Sequence, residues 1–349
     1  MIATNNDPRT RQPFTWANIG TSFDEDVTLN FALEQGKINY EVAEAPLLAT
    51  SPDFYRGIKS GEQLSFAPTK ESLITTHKAI FRTDTHQILG VVGKDYGIVQ
   101  NADAFAFVKF FKECSQCEIT IKCAGETESG KSFVICQFGE PLQLSPNDVI
   151  YTYIVITNSH DGTTPVRVQF CPMRLVCSNG LKIAIKEAKS EIIFKHTKYV
   201  KSRIDLLQAE NRRRAIDTIT GAENYNHYFG EKMLEYKDAN LSDKQIKALT
   251  NMLFLQPHQI DLVHQNNENI DIEEISTRTK NTITAFENAL HYGIGQDTYK
   301  GTKLWFLNGI TTFLQNGKTY KSDSAKFDTL QFGTGAQKVQ SAFALLESA

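Results

Sequence analysis

The sequence lacks any long apolar run and has few cysteines. No stretch of the 349-residue chain approaches the roughly 20 apolar residues of a membrane-spanning helix. The first residues, MIATNNDPRTRQPFTWANIG, are polar and have neither the apolar core of a secretion signal nor the Arg-rich pattern of a transit peptide. Six cysteines at irregular spacing do not form a disulfide framework. We therefore expect a cytoplasmic protein with no membrane partner.

Familiar catalytic signatures are also absent. The chain contains no GxSxG, no HExxH and no protein-kinase signature set. Gly93 and Lys94 resemble part of a phosphate-binding loop, but Asp95 and an extended run follow where such a loop needs Ser or Thr and a helix. Cys114 and Cys117 form a CxxC, yet a zinc site needs two further ligands. The sequence predicts no cofactor and no metal site, and it leaves open whether the protein is an enzyme.

The apolar pattern divides the chain into a β-rich first half and a helical second half. Residues 1–75 alternate short apolar runs with Pro, Gly and Ser, which predicts an arm with short strands. Residues 76–197 contain paired β-rich runs and an amphipathic helix for which Asn101 is the predicted N-cap. Residues 198–349 have a helical period. The predicted fold class is α+β: a mixed or antiparallel sheet with a packed helix, followed by a helical region packed on the sheet domain.

Several elements are predicted individually. Phe105, Val108 and Phe111 have the spacing of a helix face, and the segment KDYGIVQ before them is predicted to be extended. DVIYTYIVITNSHDG is apolar on both faces, which is typical of a central strand. Ser242 and Gln245 have the spacing of a capping box. The last helix is expected to bury an apolar stripe formed by Val339, Ala342, Phe343 and Leu346.

The strongest functional signal is a change of charge sign between neighbouring segments. Acidic residues dominate residues 223–274, whereas the segment before them is basic, and a net charge of −3 hides this asymmetry. Clustered cations attract phosphates, and Phe194 and Tyr199 offer rings on which bases of a single strand stack. The alternative is a solvated helix face whose charges pair with the acidic segment. The candidate nucleic-acid-binding residues are Lys182, Lys186, Lys189, Lys195, Lys198, Lys201, Arg203, Arg212, Arg213 and Arg214.

A second candidate site is a group of polar residues around a turn. His160 beside Asp161 suits a general base or metal ligand, and the planar fork of Arg174 suits a phosphate or carboxylate. However, adjacent residues of an extended chain point to opposite faces, and Asp-Gly is ordinary turn chemistry. A catalytic or binding site and a turn that supports the fold therefore both remain open. The residues of this candidate polar site are Asn158, His160, Asp161, Arg174 and Asn179.

Several segments together resemble a phage and plasmid protein family known as domain of unknown function 932. They are FRTDTHQILGVVGKDYGIVQNADAFAF, NSHDGTTPVRVQFCPMRLVCSNGL and, more loosely, GTKLWFLNGITTFLQNG with FGTGAQKVQSAFALL. Family members typically carry Asn-Thr-Leu where this chain has Ser178, Asn179, Gly180 and Leu181, which indicates a divergent member. The resemblance implies a protein that handles the DNA of a mobile element, and it carries over no catalytic residues.

The leading hypothesis is a noncatalytic protein of a phage, prophage or plasmid that binds or anneals single-stranded DNA in replication or recombination. Proteins of this kind usually form rings or filaments, so a homo-oligomer is expected. One alternative is a metal- or phosphate-dependent hydrolase or nuclease that uses His160, Asp161 and Arg174. Another is a protein-interaction factor, such as an anti-defence protein, whose acidic segment meets a basic host or phage partner.

Overall fold

The computed structural model describes residues 19–61, 69–146, 148–174, 179–180, 191–267, 269–293 and 296–349. The strands in these ranges are β1 (Gly20–Ser22), β2 (Val42–Leu48), β3 (Leu73–Arg82), β4 (Ile88–Gly93), β5 (Ile119–Glu126), β6 (Lys131–Phe138), β7 (Leu142–Ser145), β8 (Asp148–Ser159), β9 (Val166–Arg174), β10 (Asn179–Gly180) and β11 (Glu191–Phe194). The α-helices are α1 (Leu29–Gln35), α2 (Pro52–Ser60), α3 (Asn101–Cys114), α4 (Val200–Ile204), α5 (Ala209–Asp238), α6 (Asp243–Phe254), α7 (Pro257–Gln265), α8 (Thr277–Tyr292), α9 (Lys303–Thr312), α10 (Asp323–Gln331) and α11 (Thr334–Ser348). The predicted α+β class is confirmed.

Strand β8 lies in the middle of the main sheet. The described residues form eight strands in the order β1-β5-β6-β8-β9-β10, with β7 paired to β8 and β11 paired to β9. Successive side chains of β8 alternate between two apolar cores, with Ile154 and Ile156 in the larger core and Tyr153 and Val155 beside Phe327 of α10. Because both faces are covered, the apolar run predicted to be a central strand is confirmed as one.

A smaller sheet contains β2, β3 and β4. These strands pair antiparallel, and Val42, Ile80 and Val92 form a separate small core. The segment KDYGIVQ follows β4 as a connection rather than a strand. Within the described part of the chain its only ladder contact is a bridge between Tyr96 and Thr197. This bridge brings Thr197, which lies between the basic residues Lys195 and Lys198, beside the smaller sheet.

Helix α3 packs on the main sheet. Phe105, Val108 and Phe111 are each at most 1% exposed, which confirms the predicted apolar stripe. Asn101 is not the N-cap, because Gln100 occupies that position and Asn101 is the first residue of the helix. That prediction was wrong because the Asn101 side chain is buried and forms hydrogen bonds with other elements instead of capping its own helix.

The arm before residue 76 joins the main sheet through β1, which pairs with β5. Its described part also contains two helices that the apolar pattern did not predict. Thr28 caps α1 through its side chain, and Ser51 caps α2, where Pro52 begins the helix and Gly61 ends it in the left-handed region at φ 79°. Both helices are short, so they contain too few turns for an apolar period to be recognised in the sequence, and their caps are the main local signal.

Helix α5 connects the sheet core to the helical core. Ala215 and Ile219 belong to the core of the main sheet, whereas Phe229 and Met233 pack with the later helices. The predicted capping box of Ser242 and the stripe of α11 are both confirmed, the latter by the burial of Val339, Ala342, Phe343 and Leu346. A single long helix therefore spans both halves of the molecule.

None of the described helices is both long enough and apolar enough to cross a membrane.

Candidate functional site

Two side chains of the predicted polar site point into the core around Asn101. Asn158 Nδ2 donates to the Val99 carbonyl at 3.0 Å and to Asn101 Oδ1 at 2.9 Å. His160 Nε2 lies 3.2 Å from the same oxygen. Asn101 Nδ2 in turn donates to the Ile38 carbonyl at 3.0 Å. These contacts join β8, α3 and the arm.

His160 is a neutral core residue with 1% of its surface exposed. Since Asn101 donates through Nδ2, its Oδ1 accepts, and His160 Nε2 therefore carries the proton. His160 Nδ1 is then a bare acceptor, and it has no hydrogen-bond partner within the described residues. Burial, together with the nearby His196, lowers the pKa of His160 to about 4, although Asp161 acts in the opposite direction. The ring is uncharged at neutral pH and supports the fold.

Asp161 has different partners and shapes the turn after β8. Its Oδ1 accepts hydrogen bonds from Ser159 Oγ at 2.9 Å, from the Thr163 amide at 2.9 Å and from Thr163 Oγ1 at 2.8 Å. Gly162 follows in the left-handed region at φ 80°. A Cβ at Gly90 would lie 2.5 Å from Asp161 Cα, so β4 packs directly on this turn.

The other two residues of the predicted polar site lie at the far end of β9. Arg174 pairs with Asn179 across β9 and β10, and their side chains lie outside the described part of the structure. The structure therefore brings Asn158 and His160 together through Asn101, while Asp161 faces the turn.

A close backbone contact fixes the segment after β11 against the connection after β4. The Gly97 amide donates to the His196 carbonyl at 3.1 Å, and His196 Nδ1 donates to the Gly97 carbonyl at 3.0 Å. The rings of Tyr96 and His196 stack at 4.7 Å with an angle of 11° between their planes. A Cβ at Gly97 would lie 2.2 Å from the Thr197 carbonyl oxygen, so only glycine permits this approach.

Tyr96, His196 and Thr197, which take part in this contact, line a cleft of about 730 Å³, which we call the basic cleft. Three cationic side chains line it against one carboxylate, that of Asp95. Burial lowers the pKa of His196, so this wall residue is neutral at physiological pH. The cleft therefore has a formal charge of +2. Its lining residues are Thr76, Gly93, Lys94, Asp95, Tyr96, His196, Thr197, Lys198, Tyr199 and Arg203.

Seven of the ten basic residues predicted from sequence are described, and all seven are exposed. We call them the cationic strip. Within the described ranges, none of the seven forms an ion pair with a carboxylate. By contrast, Lys232, within the acidic segment, pairs with Glu235, and Lys280, just after that segment, pairs with Asp271. Lys182, Lys186 and Lys189 lie outside the described residues. The cationic strip consists of Lys195, Lys198, Lys201, Arg203, Arg212, Arg213 and Arg214.

The two aromatic residues predicted to stack on bases have different environments. Tyr199 is 58% exposed at the basic cleft, with Lys198 Nζ 4.9 Å from the centre of its ring. Phe194 is buried, and its ring packs 5.6 Å from that of Phe107. The prediction for Phe194 was wrong because β11 pairs with β9, and strand alternation directs this side chain into the core.

A second cleft, of about 710 Å³, lies between α3 and the α4–α5 connection. Its charged lining is balanced, because Lys109, Lys201 and Arg212 face Asp103, Glu113 and Asp205. The ring of Phe110 also lies 5.4 Å below the guanidinium of Arg212. Its formal charge is zero, so the basic cleft is the better candidate for an anionic ligand.

Comparison with known proteins places this architecture in a family. A family model described as Domain of unknown function (DUF932) matches residues 88–332. The chain belongs to this family. No curated protein and no solved structure is similar enough to match. The DUF932 match begins at β4 and ends just after α10, so it includes the cationic strip and every residue of the basic cleft except Thr76.

Sequence reasoning missed part of the cleft in this DUF932 protein. From the sequence, Lys94 has only a weak resemblance to a phosphate-binding loop, and no motif includes Tyr96 or His196. The contact that unites them with the cationic strip spans 99 residues, from Gly97 to His196. The available signal was Gly97, since glycine often marks a close backbone approach.

Among the described residues of this DUF932 chain, no group of three or more His, Cys, Asp or Glu side chains is arranged to hold a metal ion.

Proposed function

We propose that this DUF932 protein binds single-stranded DNA without catalysing a reaction on it, in the replication or recombination of a phage, prophage or plasmid. The observation that carries the proposal is the cationic strip. Its seven side chains are exposed and have no carboxylate partner among the described residues, and the exposed ring of Tyr199 lies among them. Exposed cations without a carboxylate partner are available to phosphates.

The size of the strip sets the expected salt dependence. Each phosphate neutralised on a single strand makes the fall of log affinity with log salt steeper, increasing the magnitude of the slope by about 0.7, because counterions are released on binding. Exposed aromatic rings add stacking that every base can use, so little sequence preference is expected. A binder of this kind follows the backbone and tolerates any sequence.

The test is fluorescence polarisation with a labelled oligothymidylate at salt concentrations between about 50 and about 200 mM. We expect binding that weakens steeply with salt. Replacing Lys195, Lys201 and Arg213 together with alanine should reduce the slope by about 2. A matched variant with Lys244→Ala and Lys247→Ala, both exposed on α6, should leave it unchanged. Absence of binding by the unmodified protein at low salt would refute the proposal.

A hydrolase or nuclease centred on His160 has less support. Its ring is buried and neutral, and it is held as a hydrogen-bond donor to Asn101, whereas a general base needs access to substrate. Incubating the oligonucleotide with the protein and divalent cations tests this alternative directly, since cleavage lost in His160→Ala would favour it.

The proposal keeps the expectation of a ring or filament on DNA, and light scattering with and without oligonucleotide tests it.

A further inference from the structure

We infer that the basic cleft holds one nucleotide of the bound strand, with its phosphate between Lys94, Lys198 and Arg203 and its unpaired base on the ring of Tyr199. This inference rests on the proposed function and adds a defined position to it. It also assigns a role to Lys94, which lies far from the cationic strip in the chain.

The charges of the cleft select an anion. Lys94 directly follows β4, Lys198 lies in the segment after β11, and Arg203 lies on α4. Cations from three separate parts of the chain therefore line one cleft. All three side chains are exposed, and no described carboxylate pairs with them. Asp95 offsets only one of the three charges. A phosphate group suits such a site, since the guanidinium fork and the ammonium groups all donate to its oxygens.

The aromatic group of the cleft selects a base rather than a simple phosphate. Tyr199 is 58% exposed, whereas Tyr96 and His196, which also line the cleft, stack on each other. An exposed ring beside cations is the arrangement that binds single-stranded nucleic acid, where stacking and phosphate contacts act together. A duplex keeps its bases stacked inside and cannot offer one to Tyr199.

Hydrogen bonds within the protein hold part of the cleft lining in place. The paired hydrogen bonds between Gly97 and His196, and the bond from Tyr96 OH to the Ser159 carbonyl at 2.9 Å, fix the segments that carry Tyr96 and His196. Because little ordering is needed on binding, more of the interaction energy appears as affinity.

The experiment compares a short oligothymidylate with an abasic strand of the same length, which has the phosphates but no bases. Tyr199→Ala should weaken binding of oligothymidylate by about fivefold or more and leave binding of the abasic strand unchanged. Lys94→Ala should weaken binding of both strands and reduce the salt slope by about 0.7. These side chains are exposed, so thermal unfolding should stay within error of the unmodified protein.

Two matched variants serve as controls. Tyr292→Ala removes an 85% exposed tyrosine of α8, and Lys244→Ala removes an exposed lysine of α6. Neither should change the affinity for either strand. If the unmodified protein binds DNA but Tyr199→Ala weakens both strands equally, or Lys94→Ala weakens neither, the cleft assignment is wrong while the proposed function stands. If the unmodified protein binds no strand, both fail.

Discussion

At the scale of single residues, Gly97 is the position where the two segments that line the basic cleft, one after β4 and one after β11, come into contact. We predict that Gly97→Ala destabilises the protein by about 1–3 kcal/mol, because the added Cβ overpacks the contact with Thr197. It should also weaken binding of oligothymidylate, since the segment carrying Lys198 and Tyr199 must shift. Urea unfolding and fluorescence polarisation measure the two effects. Gly93→Ala is the control, because a Cβ there meets no atom within 4 Å, and a loss of stability as large as that of Gly97→Ala would contradict the account.

His160 makes the stability of the protein depend on pH. Its pKa is about 4 in the folded state and 6.5 when unperturbed, so the unfolded state takes up more protons between these values. The contribution of the neutral His160 ring to the stability of the folded state is fully present above pH 6.5 and is lost as the pH falls toward 4. We predict that the free energy of unfolding decreases by about 3 kcal/mol over this window. Burial of His196 acts in the same direction.

Urea unfolding at a series of pH values measures this decrease. In His160→Gln, which keeps a donor toward Asn101, the decrease should be smaller. An equal decrease in the variant would assign the effect to other groups.

At the scale of elements, α11 closes the helical core. Phe343 is 3% exposed and its ring lies 5.6 Å from that of Tyr236 on α5. We predict that Phe343→Ala costs about 3–5 kcal/mol, because it removes a buried ring and leaves a cavity. The partly buried Leu345 on the same helix is the matched control, and Leu345→Ala should cost clearly less. Chemical denaturation measures both, and equal costs would show that α11 does not pack by the stripe described.

Elements with a local signal were predictable from the sequence. The apolar run of β8, the stripe of α3 and the capping box at Ser242 all depend on residues close in the chain, and the structure confirms them. The role of Asn101 was mistaken because polar residues at helix starts usually cap, and only the fold reveals that its amide reaches Ile38 and Asn158. The environment of Phe194 likewise depends on which strand β11 joins.

At the scale of the whole molecule, a net charge of −3 conceals the cationic strip. We predict that affinity for oligothymidylate changes by less than about twofold between pH 7 and 9, because lysine and arginine keep their charge in that range. His196 in the cleft is already neutral, so it contributes no change. Polarisation titrations across this range measure the affinity. A fall that follows the growing negative charge of the protein would show that overall charge, rather than the strip, governs binding.

The basic cleft was not predictable in the same way as the strands and helices. Lys94, Lys198 and Arg203 meet because the connection after β4 packs on the segment after β11. The basic segment by itself predicts a binding surface. However, no spacing rule predicts that Lys94 lies beside Lys198 and Arg203, which are far from it in the sequence. Local patterns therefore predicted the basic segment, whereas the packing of Lys94 beside it depends on the fold.

The pairing of Gly97 with His196 closes a loop of 99 residues, and that loop contains α3 and most of the main sheet. Contacts of such long range form slowly, because the entropy of the intervening chain is lost before the contact contributes. We therefore expect the strands of the main sheet to pair first. The Gly97–His196 contact, and with it the basic cleft, should form in the last stage of folding. Recovery of DNA binding after dilution from denaturant should then lag behind recovery of the secondary structure.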